Sequence, residues 1–193
     1  MKKEKYLIVV DMQNDFVTGA LPAEGGEAAL AQVVKRIEEA DSNTRVFFTR
    51  DTHGADYLTT QEGQNLPVPH CIENTPGWQL VPAVEQAWRD NPNILKHQHP
   101  DVPDNLGMHI YDKDTFGSLA MADALNLHED RIASIELVGI CTDICVISNA
   151  MIAKAAAPSV PIRVNAACCA GVSFASHRQA LEAMKMCQIE IIE

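Results

Sequence analysis

Residues 134–145 read Ser134-Ile-Glu-Leu-Val-Gly-Ile140-Cys141-Thr-Asp-Ile-Cys145. The first seven form a strong strand pattern, rich in β-branched and apolar side chains, and a helical pattern runs from Cys145 to Ala156. A buried strand that feeds a helix through a short polar turn is half of a crossover unit, and similar units lie on either side of it. Upstream, the continuous apolar run Tyr6-Leu-Ile-Val-Val10 reads as a strand covered on both faces. A helix over 25–40 follows, with Ala28, Leu30, Ala31, Val34 and Ile37 on its apolar side. Then come a strand over 45–49, a short helix over 80–88, a strand over 108–111 and a helix over 118–125. Downstream, a strand over 162–164, a helix over 177–186 and a strand over 188–192 complete the pattern. The Pro- and Gly-bearing stretches 51–77 and 91–107 fit neither period and read as loops. Strands alternating with helices imply crossovers and a mostly parallel sheet with helices on both faces. The expected fold class is therefore α/β, a three-layer α/β/α sandwich of Rossmann-like topology, in one domain spanning 1–193.

Composition narrows the partners. The chain has 193 residues, with 15 Lys and Arg against 26 Asp and Glu, a formal net charge of −11. That balance argues against nucleic acid or an anionic membrane surface as partner, since both are gripped by concentrated Lys and Arg. Hydrophobic residues at 47% and charged residues at 21% suit a packed core rather than disorder. After Lys2, Lys3 and Lys5, the run 6–10 is cut short by Asp11, too soon for a signal-peptide core or a membrane span. The expected setting is the cytoplasm, where the six cysteines are not a disulfide framework.

In a parallel α/β sheet the working residues collect where strands end at their carboxyl termini. The first strand runs into Asp11 and the second into Arg50-Asp51-Thr52-His53; the third ends in Asp112-Lys113-Asp114 and the fourth in Cys141-Thr-Asp-Ile-Cys145. Asp11, Lys113 and Cys145 therefore converge on one edge of the expected sheet. A cysteine at a helix N-terminus with an ammonium nearby can act as a thiolate nucleophile, with a carboxylate taking its proton. Position alone favours a small buried hydrophobe, and the co-location of Lys113 and Asp11 reverses that preference. Asp51-x-His53, with Glu62 and His70 further along the same loop, is a carboxylate and imidazole set suited to zinc, iron or manganese, although loop histidines are also commonly just solvated. His97, His99, His109, His128 and His177 read as surface or structural. Cys168, Cys169 and Cys187 read as core, and Cys71 as structural. Phosphate-binding glycine loops and a G-x-S-x-G elbow are missing from the sequence.

Five segments, in order, resemble the isochorismatase-like cysteine hydrolases, and within them the nicotinamidases. They are Asp11-Met-Gln-Asn-Asp-Phe16, Thr49-Arg-Asp-Thr-His53, Pro69-His70-Cys71-Ile72 with Thr75-Pro-Gly77, Lys113-Asp-Thr-Phe116 with Gly117-Ser118, and Thr142-Asp-Ile-Cys145-Val146. The resemblance implies Asp11, Lys113 and Cys145 as catalytic residues and the Cys141 and Cys145 N–H groups as an oxyanion hole. It implies a cis peptide between Ile140 and Cys141, with Phe16 and Ile140 against the substrate. Asp51, His53 and His70, with Glu62 as a further ligand, would hold a divalent metal, zinc first and iron or manganese next. The implied reaction is hydrolysis of a small carboxamide such as nicotinamide, by a homo-oligomer. The alternatives are a sibling hydrolase of an N-carbamoyl or ureido compound and a catalytically idle interaction module. The sequence departs from the pattern at Leu66-Pro67, where many nicotinamidases carry an aromatic residue three positions before the last metal histidine, and at Thr59, where some carry another histidine.

Overall fold

A computed structural model describes residues 2–95 and 108–193. Most of the loop expected over 91–107, with His97 and His99, lies outside the described residues. Six strands form one sheet: β1 (Glu4–Val10), β2 (Thr44–Asp51), β3 (His109–Lys113), β4 (Ile132–Ile140), β5 (Ile162–Ala170) and β6 (Glu190–Ile192). Their order is β3-β2-β1-β4-β5-β6, and every pairing is parallel.

Alternation along the strands divides the core between the two faces. Leu7, Val9, Val46, Phe48, Val138 and Ile140 pack with α2 (Gly26–Glu38) and α4 (Pro82–Asp90). Tyr6, Ile8, Val10, Phe47, Ile135 and Leu137 pack with α5 (Leu119–Leu127), α6 (Ile147–Ala156) and α7 (Phe174–Met186). The three-layer sandwich is thus present, and the continuous apolar run in β1 has its reason: alternate residues serve opposite cores.

Several details differ from the sequence reading. On α2 the buried ridge is Ala29, Val33 and Ile37, while Ala28 and Ala31 are exposed; alanines carry too little area to fix the direction a helix faces. The short helices α1 (Asn14–Val17) and α3 (Gln61–Asn65) fall where no period can show, α3 inside the expected loop 51–77. β5 runs on to Ala170 because its pairing with β4, interrupted after Val164 by a register irregularity, resumes with Cys169 opposite Gly139 and Ala170 opposite Ile140. The helix expected from Cys145 starts at Ile147. Before it, Thr142–Val146 makes one wide π turn, in which the Cys141 carbonyl accepts both the Ile144 and Val146 N–H groups. Cys187 is exposed rather than core, because it caps the carboxyl end of α7 beyond its last buried turn.

The strand order places β1 between β2 and β4, so the connections diverge at the carboxyl ends of β1 and β4. In open α/β sheets that divergence opens a crevice. Gly139 makes the approach possible: its φ is +121°, and a Cβ there would collide with the Val10 carbonyl. Asp11 and Cys141 leave the sheet on the two sides of this crevice.

Candidate active site

Asp11 follows β1 in a left-handed conformation, φ 47°, and is wholly buried. Thr49 Oγ1 donates to its Oδ1 at 2.6 Å, and Lys113 Nζ lies 2.6 Å from its Oδ2. Lys113 ends β3, two strands away, and reaches across β2, passing Asp51 Oδ1 at 3.3 Å. Its Nζ is 3.8 Å from Cys145 Sγ. The three residues that the sequence places on separate strand ends thus meet around one sulfur.

Their charges do not produce the resting thiolate expected from sequence. Lys113 favours the thiolate by about 4 kcal/mol at that distance with an effective dielectric near 20. Burial and the Asp11 carboxylate act the other way and prevail, holding the Cys145 thiol well above its ordinary pKa. Burial also raises Asp11, against Lys113 and with help from Asp51. For Lys113 burial opposes the charge, but the carboxylates of Asp11 and Asp51 keep it protonated. The resting state is a thiol beside a carboxylate of raised proton affinity, neutralised by a buried ammonium.

Asp51 joins this group to a second one. It is the last residue of β2, and its Oδ2 lies 3.0 Å from His53 Nε2 and 3.4 Å from His70 Nε2. Burial would raise its carboxyl, but the two imidazoles and Lys113 outweigh this and hold it well below the ordinary carboxylate range. Hydrogen bonds fix the loops around it. Gln13 Nε2 donates to the Asp51 and Trp78 carbonyls, both at 2.8 Å, and its Oε1 accepts from Asp51 N at 2.7 Å. His53 N donates to the Cys71 carbonyl, and Cys71 N donates to Asp15 Oδ2 at 2.8 Å. His70 Nδ1 donates to the Val68 carbonyl at 2.8 Å, which fixes the ring with Nε2 facing Asp51 Oδ2. Tyr57 lies beneath both imidazoles, 4.7 and 5.0 Å between ring centres.

The donor set fits a metal ion. One ligand atom each from Asp51, His53 and His70 lies within 4.8 Å of the other two, the one such cluster among the described residues. His53 Nε2 is buried and faces Asp51 and Glu62 oxygens without making a well-formed hydrogen bond to either, as a nitrogen placed to ligate a metal would. Glu62, in the first turn of α3, stands further off, 3.7 and 3.9 Å from the two Nε2 atoms, with its carboxyl raised by burial.

A cavity of about 260 Å³ opens onto both groups. Cys141, Cys145, Asp51, Glu62, His70 and Phe16 line it, and the Phe16 ring stands 5.5 Å from the His70 ring. The Ile140–Cys141 peptide is cis. The burial of Cys141 pushes its thiol up to about 12, so this residue offers its backbone rather than its sulfur. Ile140, expected against the substrate, does not line the cavity among the described residues; its side chain is turned into the core beside α2. The sequence reading also missed Gln13, Thr49, Asp15 and Asn149. Asn149 is buried on α6, donates to the Cys145 and Phe116 carbonyls and accepts from Ser118 N, so it ties the nucleophile turn to the lysine segment. A lone amide within the apolar pattern of that helix was the available signal. His177 is structural as expected, with its Nδ1 at 2.8 Å from Thr142 Oγ1.

The isochorismatase domain model matches residues 5–193. The chain belongs to the isochorismatase domain family. It is similar to the nicotinamidase/pyrazinamidase of Mycobacterium tuberculosis, 29% identical, with 96% of this chain and 97% of that protein covered. An uncharacterized isochorismatase family protein, PncA, of Bacillus subtilis is 31% identical, with 77% of each chain covered. Among solved structures, that of nicotinamidase PncA from Bacillus subtilis superposes with a TM-score of 0.77 at 26% identity, covering 98% of this chain and 99% of that one. Among the described residues no helix is long and apolar enough to cross a membrane.

Proposed function

We propose that this isochorismatase-family protein hydrolyses a small primary carboxamide, nicotinamide first, to the carboxylate and ammonia. The observation that carries the reading is the meeting of Asp11 and Lys113 around Cys145, which lines the cavity together with Asp51 and His70 of the Asp51, His53 and His70 cluster. Nicotinamidases among the relatives support the substrate. The amide carbonyl settles against Cys145, and Asp11 takes the thiol proton as sulfur attacks the carbonyl carbon. The Cys141 and Cys145 N–H groups hold the oxyanion, a contribution worth about 2.7–4 kcal/mol per donor in comparable sites. Asp11 passes the proton to the departing nitrogen, ammonia leaves and a thioester remains. Water then cleaves the thioester, with Asp11 taking its proton and returning it to the Cys145 sulfur. Lys113 keeps Asp11 ionised between steps.

Asp51, His53 and His70, with Glu62 at the open side, would hold a divalent metal, zinc first and iron or manganese next. Once bound, it would supply a Lewis acid for water or a ring nitrogen. The proposal includes one working domain over 1–193, a cytoplasmic setting and a homo-oligomer. Among the described residues the cavity lining contains no Lys or Arg, which disfavours anionic N-carbamoyl substrates. Ammonia release from nicotinamide should fall at least ~10³-fold in Cys145→Ala, as for other covalent nucleophiles. Sustained turnover by that variant would eliminate the mechanism. Carbamoylated amines assayed beside nicotinamide and pyrazinamide separate the sibling hydrolase, and no turnover of any of them by the wild type favours the idle module.

A further inference from the structure

The lining of the cavity changes character with depth. Its inner end holds the buried groups Cys141, Cys145, Asp51, His70 and Phe16. Its outer end is a collar of Leu21, Leu66, Phe116, Ile144 and Val172, of which Leu66, Phe116 and Val172 are 37%, 43% and 59% exposed. These five collar side chains are apolar, and Glu62, 19% exposed, is the hydrogen-bonding side chain that lines the cavity short of full burial. Exposed apolar side chains around a cavity on so acidic a chain mark a binding surface rather than a solvated rim. The volume, about 260 Å³, approaches the ~300 Å³ at which pockets accept drug-sized ligands, more than a single pyridine ring requires.

The inner groups fix which end of a substrate meets the collar. The leaving nitrogen must receive its proton from Asp11, which is wholly buried behind Cys145 and packed against Lys113 and Thr49. The amide nitrogen therefore points inward, where a substituent has no room, and the acyl portion points outward along the collar. Leu66 lines that direction with a flexible branched side chain, which leaves it adaptable.

We infer that the collar of Leu66, Phe116 and Val172 is an acyl-side subsite, which makes the enzyme selective for primary carboxamides with an apolar extension on the ring, and closed to amides substituted on nitrogen. The inference rests on the amide-hydrolase reading and narrows its substrate class. No bond is formed or broken at the subsite; it acts through burial of the extension.

The test compares nicotinamide, its 5-methyl, 5-ethyl and 5-propyl derivatives, and nicotinamides methylated or propylated on the amide nitrogen. Along the 5-alkyl series KM should fall about fourfold per added carbon, the factor expected for a buried methylene. Alkylation of the amide nitrogen should cut kcat/KM by more than ~100-fold, since a blocked carbonyl and a blocked proton path both act before the transition state. Val172→Ser and Leu66→Ser, both at exposed positions that do not endanger folding, should lower the ratio of kcat/KM for 5-propylnicotinamide to that for nicotinamide by about tenfold. Rising KM along the ring series, an unchanged ratio in both serine variants, or equal turnover of the nitrogen-alkylated amides overturns the subsite. If nicotinamide is hydrolysed by the wild type and not by Cys145→Ala while any of these occurs, the amide-hydrolase reading stands and the subsite alone fails. If no primary carboxamide is hydrolysed, both fall.

Discussion

Cys145 stands between a carboxylate that raises its pKa and an ammonium that lowers it, 3.8 Å away, and burial sides with the carboxylate. A thiol held back in this way reacts only when Asp11 accepts its proton, which couples nucleophile formation to the arrival of a carbonyl. The two charges can be separated by substitution. In Asp11→Asn one of the raising influences is gone and Lys113 is left without its nearest partner, so the thiol pKa falls although burial still holds it up. Alkylation of Cys145 by iodoacetamide near pH 7 should then accelerate about tenfold or more, while ammonia release falls by ~10²–10⁴, the usual weight of a general base. A variant slow in both reactions would show that Asp11 does not control the thiol. These residues were legible in the sequence because Asp, Lys and Cys at strand ends are informative types in informative places. The direction of the Cys145 shift was not legible, because it depends on burial and on which of two charges stands closer.

At the level of elements, Glu136 shows what a strand pattern hides. It sits within the apolar run of β4, and its buried side chain meets Arg36 of α2 at 2.7 and 3.0 Å and Arg163 of β5 at 3.2 Å. The charge joins helix and sheet on the face away from the catalytic edge, and no local period announces such a partner 100 residues away. Burial raises the Glu136 carboxyl, but hydrogen bonds and attraction from Arg36, with Arg163, prevail and lower it below its ordinary value. A carboxyl depressed in the folded state contributes stability above its unfolded pKa and loses it as the pH falls through the folded one. Glu136→Gln should therefore destabilise the protein at pH 7 by about 2 kcal/mol, less than the 3–5 of a fully buried pair because both arginines are partly exposed. Urea unfolding at pH 7 and pH 3 checks this: the gap between variant and wild type should narrow at the lower pH, and a gap that is constant or widens would contradict the assignment. Elements with long apolar periods were readable on the same grounds that made Glu136 unreadable, namely that pattern reports the face and not the partner. The one-turn helices α1 and α3, and the π turn before α6, have no period at all.

Across the described residues, the proposed site lies along one edge of the sheet, and the order β3-β2-β1-β4 assembles it. Sequence gives the list of strand ends; the order of the strands, which brings Lys113 across β2 to Asp11, comes from crossovers that leave no local trace. Asp51 is where the two halves of the edge join, with one carboxylate oxygen facing Lys113 and the other facing the imidazoles. A metal held by Asp51, His53 and His70 would link the end of β2 to the loop that carries His70, a segment otherwise fastened by backbone bonds between His53 and Cys71 and by Asp15. An ion bound only in the folded state stabilises it by about 4 kcal/mol at a thousandfold excess over its Kd, and a chain of this size gains roughly 2–4 °C per kcal/mol. Removing the metal with a chelator should lower Tm by about 10 °C, and zinc should restore it. In His53→Ala, which removes one of the three nitrogen and oxygen donors of the cluster, Tm should no longer respond to chelator or zinc. An equal response in that variant would place the ion elsewhere, and the absence of any response in the wild type would leave Asp51 as a bridge between Lys113 and two imidazoles alone.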